Sequence, residues 1–244
     1  MLFLITRIFV LMKSLFTCLT LFVCFISISQ NLIDKHFSEA DSLYREDQFY
    51  IGLGINFLVN KPNDMSQSGF SGGVHFGYIR DMPLNQRRNL ALGIGIGLSI
   101  DTYSQNLFIG ESNSGQSIFE VIDGDIDFDT NRFSTHVVEI PIQFRWRTSS
   151  IGDDKAFWRI YTGINLGYMY YFKSVFEQQG NKVNQTDLDE LDRTTFDYYF
   201  SFGKSKINFF FRYSLNSLFE AKLLDSQENL NLNIIKAGVV FYIL

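Results

Sequence analysis

Three kinds of residue in this 244-residue chain could do chemistry: a few histidines, a run of alternating carboxylates, and charges set among small residues. The histidines are His36, His75 and His136, each in a different stretch, so no His-based metal site is expected. Asp123, Asp125, Asp127 and Asp129 put four carboxylates at alternate positions, a spacing that hard cations accept. The run lacks the sixth-position glycine and the closing glutamate of an EF-hand loop, so it reads as a solvated acidic loop and no metal is assigned. The third set is Asp101, Glu139, Arg145, Arg147, Arg159, Asp197, Arg212 and Lys236. Each sits on the small or polar phase of an alternating stretch. Charges turned into an enclosed interior must be paired or hydrated, so these are expected to form a structural salt-bridge network.

The stretches that position these charges are strands. Asn89 to Tyr103, NLALGIGIGLSIDTY, places Leu90, Leu92, Ile94, Ile96, Leu98 and Ile100 on one face and Ala91, Gly93, Gly95, Gly97, Ser99 and Asp101 on the other. A face of glycines packs poorly in a sandwich core, but it suits the inside of a narrow closed barrel whose other face meets lipid. The same alternation recurs over about 49–59, 69–79, 133–147, 157–172, 196–202 and 207–216, and in a last strand that runs to the final residues. The connections after the second, fourth and sixth strands are short, whereas 105–132 and 173–193 are long and polar. The fold class predicted is all-β: an eight-stranded antiparallel transmembrane β-barrel of the outer-membrane type, with both termini in the periplasm. Pro141 cannot donate to a ladder and is expected to mark a bulge.

Residues 1–29 read as a cleaved signal peptide. Arg7 and Lys13 are its only charges, Leu15 to Ile26 is apolar, and Ser27-Ile28-Ser29 supplies the small residues of a cleavage site. Met12 is an alternative start, and a single-span anchor is the competing reading, for which the run is short. Residues 30–47 form a polar periplasmic lead-in, and 48–244 the barrel. Both cysteines, Cys18 and Cys24, fall in the signal, which excludes disulfides and thiolate chemistry from the mature chain. Without Arg7 and Lys13, 19 basic residues face 26 acidic ones, so the net charge of −5 becomes −7 and nucleic acid is not an expected partner. The expected surroundings are outer-membrane lipids, with Trp146 and Trp158 as membrane-interface aromatics flanking one short turn. Lys236, Gly238, Phe241 and Ile243 match the spacing of a C-terminal signal read by the barrel assembly machinery during insertion.

Several stretches carry a resemblance to a known family. They are GFSGG (69–73), FGYIRDMP (76–83), RNLALGIG (88–95), SQNL (104–107), EIPIQFRWR (139–147) and FWRIYTG (157–163). Together they resemble the PorT family, outer-membrane β-barrel proteins of the Bacteroidetes type IX secretion system. The likeness spans most of the mature chain and is strongest from Gly69 to Gly167. It implies an accessory or assembly component for protein secretion and gliding motility, in contact with other type IX components. It offers no catalytic residues and no cofactor, so no enzyme is expected. His136 beside Asp101 or Asp129 would be the rim pair of a barrel enzyme, but no nucleophile accompanies it. A small stand-alone barrel that binds a ligand or surface partner is the alternative. An eight-stranded barrel is only wide enough for its own side chains, so a diffusion pore is not expected.

Overall fold

The structure, a computed structural model, describes residues 47–85, 87–112, 115–148 and 158–243. The expected signal peptide and nearly all of the lead-in lie outside the described residues. The strands are β1 (Gln48–Val59), β2 (Gly72–Pro83), β3 (Leu90–Ser104), β4 (Leu107–Glu111), β5 (Ser117–Val121), β6 (Thr130–Arg147), β7 (Trp158–Gln178), β8 (Asn181–Gln185), β9 (Thr194–Lys204), β10 (Ile207–Ser214), β11 (Ala221–Lys222), β12 (Asn229–Leu230) and β13 (Asn233–Ile243). Eight of them pair antiparallel in the order β6-β3-β2-β1-β13-β10-β9-β7, and β6 also pairs with β7. The ring therefore closes and no barrel edge is left unpaired. Among the described residues no helix is long and apolar enough to cross a membrane.

The period of two decides which side chains face inward. On β3 the residues from Ala91 to Asp101 on the small phase point inside, while Ile94, Ile96 and Ile100 stand exposed on the outer wall. Phe49, Leu53 and Ile55 of β1, Phe202 of β9 and Phe209 of β10 continue that apolar wall. Exposed large apolar side chains in such density need a lipid solvent. The interior glycines make room for polar groups. A Cβ on Gly73 would lie 2.1 Å from the Asp101 carboxylate, and one on Gly93 would lie 2.7 Å from Arg145 Nε.

Pro141 does not mark a bulge. Ile94 opposes Ile142 and Gly97 opposes Glu139, so β3 and β6 keep one register and the ladder only skips the two pairs between. Losing one donor interrupts pairing locally without adding a residue. The register shift lies further along, where His136 opposes Tyr171 and Val137 opposes Met169. Tyr170 is the extra residue, and both it and Tyr171 are exposed.

The long connections are not simply solvated loops. β4 and β5 form a hairpin, β7 runs on past the ring to pair with β8, and β11 pairs with β12. Their apolar residues join the upper barrel in one core that includes Leu58, Tyr103, Phe119, Phe133, Phe172 and Phe219. Phe119 and Phe133 lie 5.5 and 6.1 Å from Phe219 between ring centroids. Each such side chain, once buried, contributes roughly 1.5–3 kcal/mol. The correction has a simple cause: Leu107 with Ile109, and Phe119 with Val121, also alternate, but over segments too short to stand out beside the neighbouring aspartates. This capped side is called the loop end below, and the opposite side, where β1 begins and β13 finishes, the terminal end.

Candidate functional site

The only large assembly of polar side chains among the described residues is the barrel interior, and it falls into two tiers. At the terminal end Asp81 accepts from Arg145 Nη1 at 3.0 Å and also binds Arg147 Nη2. Arg145 reaches further, donating to Gln48 Oε1 at 3.2 Å and to Gln143 Oε1 at 3.2 Å. Arg147 Nε donates to the Arg88 carbonyl at 2.8 Å, which ties the network to the short β2–β3 connection. The guanidinium of Arg145 lies 4.5 Å from the Tyr161 ring centre, and that of Arg159 lies 5.7 Å from the Tyr242 ring. Aromatic faces of this kind attract a desolvated cation. All three arginines are almost fully buried.

The second tier occupies mid-barrel. Arg212 grips Glu139 with both amino groups, at 2.8 and 2.5 Å. The amide oxygen of Asn165, oriented toward it, accepts from Arg212 Nε at 2.8 Å. Lys236 Nζ donates to Asp101 Oδ2 at 2.6 Å, and Asp101 also accepts from Ser99 Oγ at 2.6 Å and Asn56 Nδ2 at 2.9 Å. Bidentate and multiply bonded pairs are the form in which buried charges are tolerated. His75 packs edge-on against Phe210 at 4.6 Å, above Gly52, where a Cβ would lie 2.1 Å from the imidazole.

The structure thus places all eight predicted charges, Asp101, Glu139, Arg145, Arg147, Arg159, Asp197, Arg212 and Lys236, inside the barrel. Sequence reasoning missed Asp81, because the expected second strand stops near residue 79. β2 continues through it, and extending the inward series Gly73, His75, Gly77, Ile79 by one step would have found it. Gln48, Asn56 and Asn165 were also not singled out as members of the network, because neutral amides on an inward phase carry no distinguishing signal.

His136 does not join Asp101. It belongs to the outer face, where its ring stacks on Tyr171 at 4.5 Å, whereas Asp101 points inside. Asp129 instead accepts from the Gln179 backbone N–H at 3.1 Å. Among the described residues no three His, Asp or Glu side chains converge as a metal site, the 123–129 run included. Trp146 and Trp158 both lie on the outer wall at the terminal end, opposite Leu90 and Lys204 respectively. Lys236 and Gly238 fall on the inward phase of β13, while Phe241 and Ile243 face out and pair with Ile51 and Phe49 of β1.

What this arrangement can do chemically is hold a rigid, filled cylinder. Among the described residues no paired donor and base stands beside a nucleophile in it, and its charges, Asp197 excepted, are used on one another. A family model described as outer membrane protein beta-barrel domain matches residues 29–220, which covers every barrel strand except β13. A search of curated proteins gave no match.

Proposed function

The chain belongs to the outer membrane protein beta-barrel domain family, and from that premise we propose that it is an accessory or assembly component of the type IX secretion system, of the PorT kind. It acts by protein contacts, neither as an enzyme nor as the conduit. The observation that carries the last point is the filled interior, where Arg145, Arg147, Arg159 and Arg212 are buried among their partners beneath an apolar cap. A polypeptide would have to displace both tiers, and separating each buried pair costs several kcal/mol. Support for the secretion role comes from the stretches 139–147 and 157–163, which resemble that family and also supply Glu139, Arg145, Arg147 and Arg159.

In this reading the terminal end faces the periplasm and the cap faces outside, following the rule of short periplasmic and long external connections. Residues 1–29 are removed, and Lys236, Gly238, Phe241 and Ile243 are read by the barrel assembly machinery. Trp146 and Trp158 anchor the periplasmic interface, and 30–47 meets machinery energised from the inner membrane. Deleting the gene and profiling secreted proteins tests the role: a whole class of cargo carrying the type IX signal should disappear. Unchanged secretion would favour the stand-alone barrel instead. Removing 31–47 should stop export while leaving a barrel that still shifts on a gel when boiled. Normal export from that truncation would overturn the periplasmic contact.

A further inference from the structure

The mid-barrel charges do not balance. Asp101, Glu139 and Asp197 are three buried carboxylates, and Lys236 and Arg212 are the two cations beside them. Lys236 is taken by Asp101, and Arg212 by Glu139 and Asn165. Asp197 is 7% exposed, and among the described residues its carboxylate has no hydrogen-bond or ion-pair partner. It lines a cavity of about 30 Å³ whose lining also includes Asp192 and Asn216. Thr195 and Ser214 add hydroxyl oxygens to the same cavity, and Ser214 stands directly opposite Asp197 across the β9–β10 ladder.

We propose that this cavity is a binding site for one small monovalent metal cation, sodium or potassium, held by the Asp197 carboxylate with neutral oxygens around it. A lone carboxylate in a low-dielectric interior must be neutralised. Water alone would leave the charge in place, and a proton would need no cavity. The free volume matches one water-sized particle. A divalent ion would overshoot the single surplus charge of the interior, and Asp192, the other lining carboxylate without a cation, already accepts from Thr194 and Asn216.

The test uses the purified full-length barrel in detergent micelles. Its thermal midpoint is read from the boiling-dependent gel shift, in sodium, potassium or choline chloride at matched ionic strength. The midpoint should be higher in sodium or potassium than in choline, which is too large for the cavity. Asp197→Asn should abolish that difference, whereas Asp129→Asn, away from the cavity lining, should keep it. Should Asp197→Asn fail to fold, Thr195→Val, which removes only a neutral oxygen, should reduce the difference. Equal midpoints in all three salts would mean that Asp197 is neutralised by a proton, with only water in the cavity, and would overturn the proposal. So would a difference that survives in Asp197→Asn, or one unchanged in Thr195→Val.

Discussion

Replacing Arg212 by Met isolates the contribution of the central ion pair. Arg212 and Glu139 are both about 2% exposed and are joined by two short bonds, so the methionine removes one charge and strands the other. Breaking a buried pair from one side costs about 3–5 kcal/mol, because the remaining carboxylate keeps its desolvation penalty without its partner. Replacing Glu139 by Leu in the same chain removes that stranded charge, and the double variant should regain most of the loss, ending within about 1–2 kcal/mol of the parent. The exposed pair Lys182–Glu177, 3.1 Å apart on β8 and β7, is the internal control and should change stability by about 0–1 kcal/mol when removed. The assay is urea unfolding in micelles, followed by tryptophan fluorescence and by the gel shift. A single Arg212→Met loss no larger than the control's would refute the reasoning. So would a double variant as damaged as the single, since the penalty would then be lost packing and not a stranded charge.

Three other outcomes are expected. Phe219→Ala removes a fully buried ring from the cap and should cost about 3–5 kcal/mol of cap stability. Limited proteolysis should then cut within the long connections while the barrel remains heat-modifiable, and an unchanged digestion pattern would count against a packed cap. Gly52→Leu drives a side chain into the His75 ring and should prevent insertion, whereas Ile96→Leu on the outer wall should insert normally; the gel shift reads both. Burial pushes the Asp192 carboxyl up, but hydrogen bonds from Thr194 and Asn216 outweigh it and hold the group below the usual aspartate range. A depressed folded value gives stability that is present above the ordinary value of about 3.9 and is lost as pH falls below it. Protease access to the β8–β9 connection should therefore rise only under such acid, and Asp192→Asn should remove that acid step.

The barrel was legible because alternation is a global signal: one wrong register would have turned Leu90 to Ile100 inward and exposed Asp101. The same phase placed the eight interior charges without knowledge of their partners. Which charge meets which was not legible, because Arg145 finds Asp81 and Arg212 finds Glu139 across the ring, between strands far apart in sequence. Asp81 was missed because the expected strand stops near residue 79, whereas β2 runs on to Pro83. The cap was hidden because Leu107, Phe119 and Phe219 lie in pieces too short to show a period, and they meet only after the barrel has brought them together. The site proposed at Asp197 rests on a charge imbalance that appears only once those pairings are known.

The pairing of β1 with β13 also has a kinetic consequence. Phe49 opposes Ile243 and Val59 opposes Asn233, so the first strand of the ring can be satisfied on one side only by the last. Every other neighbouring pair in the ring joins barrel strands that are consecutive in sequence, whereas this pair spans the ring's whole sequence, and a contact of such long range forms slowly. Until β13 arrives, two rows of backbone donors and acceptors lie open beside exposed phenylalanines, a state prone to aggregation. Closure is thus a single late event. A nascent chain of this sequence must be held unfolded in transit and released where both ends of the ring can be joined at once.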